Sequence, residues 1–152
     1  SKLTFVLGLA LSLVLVSFAA AQPQTPATPP LKIVATVGMV GDIVREVVGD
    51  RGTVTTLMGP GVDPHLYKPT RDDVVALQRA DVVFYSGLLL EGKMTEVLVR
   101  IGRNKPVFAV TERIDQKYLL ALSDSPEPTE ASHHHDPHVW MDISAWAKVS
   151  ML

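Results

Sequence analysis

The sequence contains no cysteine. This removes disulfides, thiolate nucleophiles, iron–sulfur clusters and Cys-ligated zinc together, and leaves open only metal sites built from His and carboxylates. Aromatic residues are scarce, at 6%, so there is little surface on which bases could stack. No excess of one charge exists either. The 14 Lys+Arg face 16 Asp+Glu, a net charge of −2, and a nucleic-acid partner, which calls for a basic face, is not expected. Several motifs of chemistry are also missing: H-E-x-x-H, G-x-S-x-G and G-x-G-x-x-G. The turn Gly38-Met39-Val40-Gly41 lacks the Lys-Ser/Thr that a phosphate loop needs.

What is present begins with a long uncharged run, Leu3 to Ala21, preceded by Lys2 and ending in Ala19-Ala20-Ala21. Residues 1–21 read as a secretory signal peptide cut after Ala21, which implies a periplasmic protein. No Cys stands at the cut, so no lipid anchor is expected. Residues 22–30 (QPQTPATPP) carry four prolines and no charge, the composition of an extended tether. The folded domain is expected over 31–152.

Within that domain, Leu31 to Val37 (LKIVATV) is an apolar, β-branched run typical of a buried strand. Val40, Ile43, Val44, Val47 and Val48 then follow at helical spacing, with Gly49 as the stop. Thr53–Leu57, Val82–Tyr85 and Val107–Val110 read as further strands. Thr70 with Asp73 forms the capping box of a second helix, and Met94, Val97, Leu98 and Ile101 mark a third. Met94, Leu98 and Trp146 are expected in the core. The alternation predicts an α/β fold with a parallel sheet and helices on both faces. Ser123–Asp136 reads as a polar loop, His138–Met141 as a short strand or extended segment, and Asp142 or Ser144 as the cap of a last helix carrying Trp146, Val149 and Leu152.

Two histidines stand out. His65, in GVDPHLYKPT, and His138, in DPHVWMD, are each preceded by Asp-Pro. Ligands of open parallel sheets collect beyond the carboxyl ends of the strands, so the two loops are placed to converge there. Proline fixes the backbone before each imidazole, and a nearby carboxylate can hold the other ring nitrogen, as metal-ligating His usually requires. Asp63, Asp136 and Asp142 are the candidates for that task. His133, His134 and His135 form a separate run in the acidic loop, able to hold a borderline cation weakly.

The strings ATVGMVGDIV, LMGPGVDPHLYKPTRDDV, ADVVFYSGLLLEGKM and DPHVWMD together resemble the TroA-type periplasmic solute-binding proteins of zinc, manganese and iron ABC importers. The resemblance runs from Leu31 to the end of the chain. It implies that His65 and His138 bind the metal, and that the fold is the N-terminal lobe of two α/β lobes joined by a long helix. It implies a binding protein, monomeric when full length and not an enzyme, that carries zinc, manganese or iron to a membrane permease; the His residues favour zinc slightly over the other two. The His run resembles a short version of the His-rich loop of zinc-type members. In the family, the second lobe adds a His or Glu and an Asp to the ligands. The chain ends soon after His138, so that lobe and the linking helix are expected to be absent here. Ser86 is a further departure, since the family more often has Asn there. Two other readings stay open: a secreted metal-dependent hydrolase, and a surface adhesin or metallochaperone.

Overall fold

The computed structural model describes residues 28–119 and 135–151. The expected leader (1–21), the tether as far as residue 27, and most of the polar loop, His133 and His134 included, lie outside the described residues.

The first strand, β1, spans Leu31–Val37, and its last five residues are buried. It runs without a loop into helix α1, Gly38–Val48. Gly49 ends α1 at a φ of +51°, a left-handed conformation that costs glycine little. Arg51 adds a second stop by donating to the free carbonyls of Val47 and Val48 at 3.1 and 3.3 Å. Strand β2, Gly52–Met58, returns beside β1.

A loop over residues 59–70 leads to helix α2, Arg71–Arg79. The capping box forms as the sequence predicts: Thr70 Oγ1 accepts from the Asp73 N–H, and Asp73 accepts from the Thr70 N–H at 2.7 Å. At the other end of α2, Lys105 Nζ donates to the carbonyls of Leu77, Gln78 and Ala80. A cation is well placed there, at the negative end of the helix dipole. Strand β3 (Val82–Tyr85), helix α3 (Met94–Ile101) and strand β4 (Val107–Ala109) complete the sheet.

All strand pairs are parallel, in the order β2-β1-β3-β4. The fold is therefore α/β, a parallel sheet flanked by helices. Right-handed crossovers in this order put α1 on one face and α2 with α3 on the other. The strand order reverses between β1 and β3, the switch point at which such sheets open a crevice. Leu77, Val83, Leu90, Met94 and Leu98 are fully buried in the main core, and Trp146 packs against it.

The C-terminal part differs from the sequence reading. His138–Met141 is not a strand: Val139–Met141 forms a 3₁₀ turn. Val139 is drawn into a second small core with Ile114, Ala145 and Val149, and Asp142 caps the next helix at once, so no room is left for an extended run. That helix, α4, is a single turn, Ile143–Trp146. The Lys148 N–H reaches back three residues to the Ala145 carbonyl, tightening the helix end, and a further 3₁₀ turn follows at Val149–Met151.

Candidate metal centre

His65 sits in the loop after β2, and His138 opens the turn before α4. Separated by 73 residues in sequence, their Nε2 atoms stand 3.3 Å apart. The rings are tilted by 59°, with centroids 5.3 Å apart. Two imidazole nitrogens bound to one tetrahedral zinc ion, each about 2.0–2.1 Å from it, lie about 3.3–3.4 Å from each other. The pair thus has the separation of two donors sharing one ion.

The repeated Asp-Pro-His has a single structural meaning. In each copy the aspartate Oδ1 accepts the backbone N–H of the histidine two residues on, at 2.9 Å for Asp63 with His65 and 2.9 Å for Asp136 with His138. These are Asx turns, in which a short carboxylate stands in for a backbone acceptor. The copies differ at the rings. Asp136 Oδ1 also lies 2.6 Å from His138 Nδ1. A carboxylate only accepts, so Nδ1 carries the hydrogen, and in the neutral ring Nε2 keeps its lone pair on the side of His65. The His138 N–H, and then its ring, hold the Asp136 carboxyl below the usual carboxylate range. Trp140 meets the His138 ring edge-on at a centroid distance of 5.2 Å.

Of the three carboxylates named as partners for the imidazoles, only Asp136 holds a ring nitrogen. Asp63 serves the backbone of His65. Asp142 caps α4: its Oδ1 accepts from the N–H groups of Ser144 and Ala145 and from the Ser144 hydroxyl. Asx and capping geometry captures a carboxylate that has unpaired N–H groups directly after it. His135 is half-buried, and neither of its ring nitrogens has a partner among the described residues. Among those residues no group of three or more His, Asp or Glu is placed to hold one metal ion, so His135 adds no third ligand to the pair.

Around the site, Asp73 and Ser86 take on contacts that the sequence did not assign to them, and Glu91 was not singled out at all. Asp73 Oδ2 accepts the Tyr67 hydroxyl at 2.8 Å, tying the chain just after His65 to the start of α2. Glu91 is fully buried, and its carboxylate accepts from Thr36 Oγ1, the Ser86 N–H and the Gly87 N–H. Ser86 is also fully buried, and its hydroxyl has no partner among the described residues. The only sequence signal for Glu91 is a charge set in the apolar run Gly87-Leu88-Leu89-Leu90.

The fold and the site together define a parallel α/β domain that presents two converging imidazoles beyond the carboxyl end of its sheet. The chain belongs to the family described as zinc-uptake complex component A, periplasmic (ZnuA), which matches residues 33–151. It is 45% identical over 116 residues to the manganese-binding lipoprotein MntA of Bacillus subtilis, covering 76% of this chain and 36% of that protein. It is 40% identical over 115 residues to the zinc-binding protein TroA of Treponema pallidum, covering 76% and 35%. The iron ABC transporter substrate-binding lipoprotein MtsA of Streptococcus pyogenes matches at 31% over 149 residues, covering 93% and 46%. Among solved structures, the Treponema pallidum TroA superposes with a TM-score of 0.71 at 38% identity, covering 80% of this chain and 41% of that one. Zn(II)-bound AdcA of Streptococcus pneumoniae gives 0.62 at 27%, covering 80% and 24%. The chain thus spans about a third to a half of the length of these curated relatives.

Proposed function

We propose that this chain captures a divalent transition metal between His65 and His138 and delivers it to the membrane permease of an ABC importer. It works outside the cytoplasm as a monomeric binding protein and not as an enzyme. The observation that carries the reading is the 3.3 Å between the two Nε2 atoms, with His138 held in the tautomer that a ligand needs. Relatives named for manganese, zinc and iron agree with a metal cargo. Zinc is the preferred ion, because imidazole suits it and the separation is tetrahedral; manganese and iron(II) are the other candidates. The hydrolase reading needs a free general base beside the metal, whereas Asp136 is already bound to both the ring and the backbone of His138.

Two imidazoles occupy two of the four positions on a tetrahedral ion. The pair alone is expected to bind Zn²⁺ at micromolar strength or weaker, about −8 kcal/mol. Calorimetry on wild type, His65→Ala and His138→Ala tests this. Each substitution should abolish most of the heat, and the double variant should add little further loss. Undiminished binding in both single variants would sink the proposal.

A further inference from the structure

In sheets of this topology the crevice at the switch point is normally where a ligand sits. Here the protein fills it with its own carboxylate. Thr36 lies at the carboxyl end of β1, and Ser86 and Gly87 directly follow β3. Glu91 joins the two strand ends: Oε1 accepts from Thr36 Oγ1 at 2.7 Å and from the Ser86 N–H at 2.5 Å, and Oε2 accepts from the Gly87 N–H at 3.2 Å.

The loop that this carboxylate closes is strained. Leu88 and Leu89 have φ of +51° and +63°, a region that side chains with a Cβ avoid and that persists only where the surroundings over-determine it. Gly92, directly after Glu91, has a φ of +47°, and a Cβ built on it would collide with the carbonyl oxygen of His65. The loop therefore lies backbone against backbone on the residue that carries one imidazole.

We propose that Glu91 is a positioning residue for His65: its buried carboxylate locks the loop 86–92 across the ends of β1 and β3, and Gly92, the next residue, sets where the His65 backbone stands. This rests on the metal-capture reading above. The strain in Leu88 and Leu89 is what the carboxylate's three bonds hold in place. Releasing them lets the loop relax and His65 drift from the separation at which it shares an ion with His138.

The test uses Co²⁺ as the probe on the full chain, reading its affinity and its visible absorption, with far-ultraviolet circular dichroism and melting as checks on folding. Glu91→Gln keeps the size of the side chain but sets an NH₂ or a weaker acceptor against the three donors. It should weaken Co²⁺ binding about tenfold, the loss typical when a ligand's support is removed, and should alter the visible spectrum. Gly92→Ala leaves the Glu91 bonds in place, pushes on His65 directly, and should do the same. Thr36→Val should act in the same direction, and Thr36→Ser, which restores the hydroxyl, should recover the wild-type spectrum. Folded Glu91→Gln and Gly92→Ala proteins with wild-type affinity and spectrum would overturn the proposal. If Glu91→Gln does not fold, Gly92→Ala and the Thr36 pair decide. His65→Ala is the control for the reading beneath it: if that variant keeps full affinity, metal capture by His65 is wrong. The positional claim is then judged without metal, by whether Glu91→Gln moves the His65 ring resonances in nuclear magnetic resonance spectra; unmoved resonances reject it.

Discussion

His65 and His138 face each other through Nε2 at 3.3 Å, yet among the described residues only His138 has a carboxylate on its far nitrogen. The two imidazoles share a sequence motif and a backbone turn but are not equivalent, and several consequences can be measured.

The aspartates of the two motifs should differ in effect. Asp136→Asn replaces the charged acceptor on His138 Nδ1 by a neutral amide, whose NH₂ competes for that position, and should weaken Zn²⁺ binding about tenfold. Asp63→Asn keeps an acceptor for the His65 N–H, the only bond that Asp63 makes to His65, and should change affinity by less than about threefold. Competition against a chromophoric chelator reads both. Equal losses would mean that the turns, and not the ring contact, matter.

Acid and base should act on Glu91 in a definite sense. Burial pushes its carboxyl above its ordinary 4.5, opposed by the bonds from Thr36, Ser86 and Gly87. A folded value above the unfolded one gives stability that is complete below the unfolded value and is lost as pH rises through the folded one. The stability of wild type relative to Glu91→Gln should therefore be greatest in acid and shrink as pH rises past 4.5. Melting of both proteins across that range checks it, and a gap that widens with pH would contradict it.

Asp73 holds three donors at once, the Thr70 N–H, the Thr70 hydroxyl and the Tyr67 hydroxyl. Asp73→Ala should cost about 1–3 kcal/mol of stability, the loss of a helix cap plus a part-buried hydrogen bond. Tyr67→Phe, which removes one of the three, should cost about 1 kcal/mol. Urea denaturation of the two variants separates these values.

Leucines of the same size should divide by location. Leu77→Ala and Leu98→Ala empty fully buried sites and should each cost about 2–5 kcal/mol. Leu66, next to His65, is 77% exposed, and Leu66→Ala should stay within about 0.5 kcal/mol. A large loss at Leu66 would show that it is covered in solution.

Local signals in the sequence carried over faithfully. β1 and β3 occupy the predicted residues because their apolar runs are bounded by Gly38 and by Asp81 and Ser86. The Thr70–Asp73 box was legible because both partners lie within one turn. The two histidines could be picked out by their shared Asp-Pro, but their approach to 3.3 Å depends on the sheet order. The turn at Val139–Met141 escaped detection because Val-Trp-Met has high strand propensity, which the small core and the Asp142 cap override. Glu91's role was not legible because one of its partners, Thr36, lies 55 residues away on β1, and nothing in a local window records a buried acceptor for a distant hydroxyl.

The Asx turns make each imidazole the tip of a short, stiff arm whose rigidity comes from three consecutive residues. The gap between the tips is then set elsewhere, by how far apart the sheet holds the two arms, as a caliper's opening is set by its frame. A shift of β2 against the segment before α4 would pass to the jaws almost undamped. In this respect the gauge of the site belongs to the whole scaffold and not to its two histidines.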